Sequence, residues 1–443
     1  MNDLLAIGAS GIRAYRSSLA AVSDNIANAQ TPGYARRTVR LEEVTITSPP
    51  DYRYRNRTRF DGVDVSATVR MIDAWRTADA RTAATSNARA EATATWALAT
   101  ETALSNSDAG TGASLARMFA SGDALAADPA SRAPRAAFLS TVDEAASAIR
   151  TSAGELSRVA GAVADAGQSA VTSLNADLAT LAEVNLAIRR TGAGTTANAE
   201  LADQRDGLID RITQKLDMTV NLAADGSTTL TRGAATLLID GTAATISQTV
   251  GPDGRLSFAV NGTAMTPANG ALAGIATSAS TVADRRASLD VLATDLASAL
   301  NTWHAGGRAV ANAGGAALLD ASGGAIALAA LVTDPDAVAA ADASGVANGN
   351  ALALSSVRSG SGVEAQWAAL VSTQAQTTSA AQTARAATAA RSETADAARD
   401  QVEGVDLDRE AADLLRFQQA YEASARVIQM AKETVDTILR MFG

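Results

Sequence analysis

Residues Ser23–Arg37 read SDNIANAQTPGYARR. Helix-compatible residues run to about Ala29, and then Thr31-Pro32-Gly33-Tyr34 stops them. Pro32 cannot donate to a helix ladder and pushes Thr31 out of the α region. Pro-Gly suits the two central positions of a type II turn. Upstream, Leu5, Gly8, Ile12, Tyr15, Leu19, Val22 and Ile26 alternate at spacings of 3 and 4. That is a heptad seam, and a seam asks for a partner helix.

A second seam lies near the other end. Leu414, Phe417, Tyr421, Ser424, Ile428, Ala431, Val435, Ile438 and Phe442 alternate in the same way, with Ser424 and Ala431 as its small members. The run from about Asp408 to Met441 has no Gly or Pro, and Gly404 marks its upstream boundary. Two unmatched seams suggest that the terminal helices pack on each other. Each seam can instead be covered by its own nearby core, and periodicity does not choose between these.

Strand-like pieces, VTIT and GVDVSATV, flank a loop between Val39 and Ile72. Long Ala/Thr/Ser-rich segments then predict helices over Asp73–Leu104, Gly112–Ala127, Ser131–Thr191, Ala199–Leu216, Thr281–Trp303 and Val363–Val402, with Asp128-Pro129 and Ala133-Pro134 as breakers. Between Met218 and Ile275, Asp225-Gly226, Asp240-Gly241, Asp253-Gly254 and Asn261-Gly262 separate short runs such as TTLTR, ATLLI and LSFAV. Asx-Gly between such runs signals β-hairpins. Ala305–Ser361, rich in Gly, Ala, Asp and Asn, reads as loop with short elements. The expected fold is mainly α with a small inserted all-β domain. Residues 1–38 and 404–443 form paired terminal coiled-coil helices. Residues 39–216 and 277–403 form an elongated helical-bundle middle domain with a short β-hairpin region, and 217–276 form the β domain.

Composition narrows the function classes. Of the 443 residues 47% are hydrophobic but only 3% aromatic, which favours thinly packed helices over a thick enzyme core. A net charge of −10 argues against a nucleic-acid or anionic-membrane partner. Without Cys there is no disulfide framework or thiolate metal site. No basic n-region precedes an apolar h-region, so no cleaved signal peptide is expected. The one histidine, His304, stands at a helix end before Gly306-Gly307, where capping or plain exposure is expected. No nucleophile elbow, phosphate loop or calcium loop occurs. No enzyme activity, cofactor or metal is therefore expected. In DYRYRNRTRF, Arg53, Arg55, Arg57 and Arg59 occupy every second position. As a strand this puts four cations on one face. They form either a solvated arm that discourages edge pairing or a docking strip for an acidic neighbour.

SDNIANAQTPGYARR resembles the N-terminal signature of flagellar rod, hook and hook-associated proteins, carried here by Asn25, Ile26, Ala27, Asn28, Thr31, Pro32, Gly33 and Tyr34. GVDLDREAADLLRFQQAYEASARVI, Gly404–Ile428, resembles the closing motif of the hook-associated protein 1 family. NAELADQRDGLIDRI, DPASRAPRAAFL, TDPDAVAAA and NGNALAL are similar to internal segments of that family. The resemblance implies a structural axial protein of the bacterial flagellum, exported without signal cleavage. It implies an adapter layer at the hook–filament junction, outside the cell, with the terminal helices in an inner tube. The implied partners are copies of itself, the hook protein below, a second junction protein and the filament above, and a cytoplasmic export chaperone at the C-terminal helix. The short β segment implies that the outermost domain of larger members is missing or reduced. The implied assembly residues are the two seams and the turn between Asn25 and Tyr34. A hook or distal rod subunit, or a surface adhesin using the β insert, are the other readings.

Overall fold

The computed structural model describes residues 2–47, 58–105 and 110–442. Helices make up 67% of the chain, accompanied by small antiparallel sheets, so the mainly α class holds. The chain divides into two compact units. Unit one holds Met1–Thr85, Ser173–Thr245 and Ala389–Gly443, and unit two holds Ser86–Thr172 and Ile246–Thr388.

In unit one, helices α1 (Asn2–Ala27) and α9 (Leu407–Phe442) pack antiparallel along one another. The chain leaves α1 through a turn whose Tyr34 N–H donates to Thr31 O at 3.2 Å. Gly33 takes φ +79°, the left-handed value that position i+2 of a type II turn requires. Strands β1 (Arg37–Thr47) and β2 (Thr58–Arg70) follow as an antiparallel arm with register Arg37↔Arg70 and Thr47↔Thr58. Val63 N–H donates to Ser10 Oγ at 3.2 Å, which ties the arm to α1. Helix α5 (Thr196–Lys215) starts at Thr195, whose hydroxyl accepts from Asn198 N–H as an N-cap. Strands β3 (Thr219–Leu222), β4 (Thr228–Arg232), β5 (Ala235–Ile239) and β6 (Thr242–Ala243) form one meander. Buried Asn185 pins that sheet, donating to Thr228 O at 2.7 Å and accepting from Thr228 N–H at 2.9 Å.

Unit two contains a larger core. Leu115, Met118, Phe138, Ile149, Leu156, Leu296, Leu300 and Trp367 are all essentially unexposed. They come from helices α3 (Thr111–Ala127), α4 (Arg132–Arg190), α6 (Ala271–Gly306) and α8 (Val363–Glu403). Phe138 and Trp303 meet edge to face at 5.5 Å, a favoured aromatic geometry. Helix α2 (Ala74–Ala103), like α4 and α8, contributes residues to both units. Strands β7 (Ile246–Val250), β8 (Leu256–Val260) and β9 (Thr263–Met265) form a three-stranded sheet here. Gln248 fastens it, donating to Ala164 O at 2.9 Å.

Four expectations change. The span 217–276, read as one β domain, forms two separate sheets that fall in different units. Its Asx-Gly pairs do sit at chain reversals, and Asp240-Gly241 and Asn261-Gly262 both carry the positive φ of a I′-type turn. Hairpin signals are local, and which sheet each hairpin joins is decided by what it packs against. Helix α6 begins at Ala271, ten residues before the predicted Thr281. Its first turns, ALAGIATSAS, bury Leu272, Ala273, Ile275, Ser278 and Ala279 and show no polar face to read. Pro134 does not break α4, which runs unbroken for 59 residues. It lies in the first turn, where its missing N–H has no helical acceptor to lose.

His304 is fully buried, neither exposed nor a simple cap. Its Nδ1 bonds Ala316 O at 2.6 Å and its Nε2 accepts from Ala339 N–H at 2.9 Å. The second bond requires the neutral ring. The stretch read as loop with short elements ends in helix α7 (Gly349–Ser361), while the segment 305–348 before it is largely non-helical yet partly buried, so its backbone groups need partners. Buried Arg135 donates to Pro129 O and Val338 O. Asn350 Nδ2 donates to Ala339 O and Trp303 O, and Trp303 Nε1 donates to Asn350 O. Three segments quoted above for their resemblance thus meet at 338–340, supplying Arg135, Val338–Ala340 and Asn350.

Burial holds the His304 pKa below its ordinary value of 6.5, outweighing the bonds to backbone. The unfolded chain then binds the extra proton, so stability falls as pH drops below about 6.5 and levels off beneath the folded-state pKa. Amide exchange of residues 316–340 is expected to speed up from pH 7 to pH 5 after correction for intrinsic rates. His304→Gln is expected to abolish that dependence, because the chain has no other histidine.

Candidate functional site

The terminal pair and the turn that leaves it meet in unit one. A Cβ added at Gly8 would lie 2.6 Å from Ile428 Cγ1, and one at Gly11 would lie 2.7 Å from Ser424 Oγ. Tyr15 and Phe417 rings are 6.4 Å apart. The two backbones therefore approach closely where small residues face each other. Of the expected seam, Val22 and Ala431 are buried. Leu5, Ile12, Tyr15, Leu19, Leu414, Phe417, Ile428, Val435 and Ile438 are half-buried. Ile26 and Tyr421 stand just on the exposed side. The Phe442 side chain lies outside the described residues, as do Arg53, Arg55 and Arg57. Arg59 is placed in β2 opposite Ile46.

Asn25 is the centre of the joint. It is wholly buried. Its Nδ2 donates to Arg37 O and to Glu410 Oε2, both at 2.9 Å. Its Oδ1 accepts from Arg37 N–H at 2.9 Å and from Tyr34 OH at 2.8 Å. Two donors and two acceptors exhaust what an amide side chain offers. Asn28, the other asparagine of the motif, acts locally. It donates to Asp24 O and accepts from Thr31 Oγ1, so it caps the helix end. Thr31, Pro32 and Gly33 are exposed and shape the turn. Burial pushes the Tyr34 hydroxyl up to about 12, so it stays a donor at any ordinary pH.

Charged side chains continue from this centre. Arg36 Nε meets Glu410 Oε1 at 2.5 Å, and its Nη2 meets Asp413 Oδ2 at 3.1 Å. Arg37 lies over the Tyr34 ring at 4.8 Å and bonds Asp203 at 2.7 Å. Asp203 also meets Arg70, which reaches Asp206 at 2.8 Å. Arg81 bonds Asp210 at 2.6 Å, and Arg399 approaches Asp210 at 3.3 Å. Asp203, Asp206 and Asp210 line one face of α5 at helical spacing. Burial raises Asp206, but Arg205, Arg70 and Arg81 outweigh it and hold that carboxyl below the usual range. Sequence reasoning missed Gly11, Arg36, Glu410 and the role of the α5 acids. Gly8 and Gly11 facing one small seam residue, Ser424, was a readable signal. Glu410 carried none, because it sits off the apolar seam.

Asn25→Ala is expected to cost at least about 2 kcal/mol, since it leaves buried groups of Arg37, Tyr34 and Glu410 without partners. Gly8→Val is expected to cost about 1–3 kcal/mol by forcing α9 outward. Local amide exchange across 5–26 and 407–440 measures both, and unchanged protection there would contradict the contacts described.

Family models match three parts of the chain. Residues 98–319 match the family model of the flagellar hook-associated protein FlgK helical domain. Residues 401–441 match the flagellar basal body rod FlgEFG protein C-terminal model, and 5–34 the flagella basal body rod protein model. The chain is 26% identical over 322 residues to flagellar hook-associated protein 1 of Escherichia coli (strain K12), across 69% of this chain and 58% of that protein. It therefore spans little more than half the length of this relative. The structure of the flagellar hook junction protein FlgK from Burkholderia pseudomallei matches over 54% of this chain and 46% of that one, at 20% identity and a TM-score of 0.49. The end segments match models described for rod proteins, whereas the helical middle, half of the 443 residues, matches a model specific to the hook-associated protein. The chain belongs to the flagellar hook-associated protein FlgK family.

Proposed function

We propose that this protein is a structural subunit of the hook–filament junction, in which α1 and α9 form the inner layer of a helical assembly. The observation that carries this reading is the set of large apolar side chains that the terminal pair leaves exposed. Leu415, Met430, Leu439 and Met441 on α9 are 59%, 66%, 65% and 76% exposed. Leu4 on α1 and Leu407 on α9 are also exposed, at 49% and 53%. A two-helix pair has one internal seam and cannot cover side chains that point elsewhere. Several large apolar side chains left exposed on one helix fit an association surface. Copies of the same chain, each bringing the same pair, are the fitting occupants. Hook protein below, and a second junction protein with the filament above, complete the proposed layer.

The proposed location is extracellular, after export without signal cleavage. Terminal helices that owe their order to packing suit export, since an unpaired helix is only marginally stable. Ordering is then supplied by neighbours at the assembly site. A chaperone that covers the apolar face of α9 before export belongs to the same reading. The outermost domain of larger members is proposed to be missing or reduced in this chain. Arg53, Arg55, Arg57 and Arg59 are proposed as a docking strip, and reversing two of these charges is expected to weaken assembly without altering monomer stability.

A strain lacking this protein is expected to build hooks, to lack filaments and to release filament subunits into the medium. The full chain should restore filaments, and chains lacking 1–38 or 404–443 should not. Restoration by either truncated chain would refute the reading.

A further inference from the structure

Arg36 occupies the root of the arm and is 6% exposed. Its N–H donates to Glu403 O, and its carbonyl accepts from Met71 N–H at the base of β2. Among the described residues its carboxylate partners, Glu410 and Asp413, both lie on α9. Glu410 itself is wholly buried, and it also accepts from Asn25. A buried ion pair adds little to stability once desolvation is counted, but removing one partner leaves an uncompensated charge and is strongly unfavourable. Arg36 is therefore comfortable in this position only when α9 is seated on α1.

The connection continues inward without a break. Glu410 bonds Asn25, Asn25 accepts from Arg37 N–H, and the Arg37 side chain bonds Asp203 on α5. Asp203 meets Arg70 at the end of β2, and Thr68 N–H of the same strand donates to Gly194 O just before α5 at 2.7 Å. Arm, α5 and terminal pair are thus joined by one continuous chain of hydrogen bonds and ion pairs.

We propose that Glu410 is a positioning latch: its seating between Asn25 and Arg36 locks the β1–β2 arm onto the acidic face of α5. Pairing of the terminal helices then sets the arm as well as the inner layer. The arm is loose in a chain whose α9 is unseated, and it is fixed when α9 docks. This inference rests on the terminal pair as the assembly element, but it is tested on the full chain in solution. Its failure leaves the deletion-strain result untouched, and the converse also holds.

The test is a double-mutant cycle read by amide exchange at Thr68 and Met71. Glu410→Gln keeps the size of the side chain and removes its charge, and Asp203→Asn does the same at the far end. Each is expected to speed exchange at Thr68 roughly tenfold. The pair should give less than the product of the single effects, because both break the same link. Independent effects, or faster exchange in E410Q confined to 5–26 and 407–442, would overturn the proposal. If E410Q also loses protection throughout unit two, Arg36→Met supplies the second test. D413N should speed Thr68 exchange in the native background and leave it unchanged in R36M. An equal effect in both backgrounds would refute the latch.

Discussion

A carboxylate with no access to water, Glu410 on α9, imposes the constraint on which unit one depends. Such a group needs charged and hydrogen-bonding partners at close range. They are Asn25, in the last turns of α1, and Arg36, the residue before β1. Eleven positions separate those two residues, and both must face the same oxygen pair, so the chain has to reverse sharply between them. The Pro32-Gly33 turn supplies the reversal. Tyr34 closes it by donating back to Asn25. The breaker, the amide and the buried acid form one device, although the acid is 385 residues away from Asn25.

The two units solve the shortage of large side chains differently. In unit one, small residues let α1 and α9 approach, and ion pairs between arginines and the α5 acids join the remaining elements. In unit two, leucines gather with Phe119, Phe138, Trp303 and Trp367 into the main core. The non-helical segment 305–348 enters that core, at the cost of buried peptide groups that need partners. His304, Arg135, Asn301 and Asn350 supply them, bonding backbone atoms in every case. Polar side chains thus stand where a more aromatic protein would use bulk.

The same thinness bears on function. A terminal pair with one internal seam leaves apolar side chains uncovered, which the proposed layer of copies would cover. Joining that pair to the arm through buried charges makes the joint directional, because ion pairs and amide bonds tolerate fewer alternative registers than apolar contacts do. A subunit of the proposed axial assembly would gain from such a joint, since each copy must present its parts at a repeated angle.

Much of the helical architecture was legible in the sequence. Long Ala/Thr/Ser-rich segments announced α2, α4 and α8, a Gly- and Pro-free run together with heptad spacing announced α9, the same spacing announced α1, and Asx-Gly pairs announced the hairpins. These signals are local, and local propensity and periodicity carry them. Other features were not legible for a common reason. The division of the β segment into two sheets, the early start of α6, the burial of His304 and the pairing of Arg36 with Glu410 all depend on partners distant in the chain. Periodicity reports which face of an element is apolar and says nothing about which polar residue off that face will be buried. The sequence by itself determined the terminal helices, the turn between α1 and β1, and the family motifs at both ends. Only the tertiary structure decided that Asn25 joins those ends, because a side chain's hydrogen-bond partners exist only once distant segments are brought within reach.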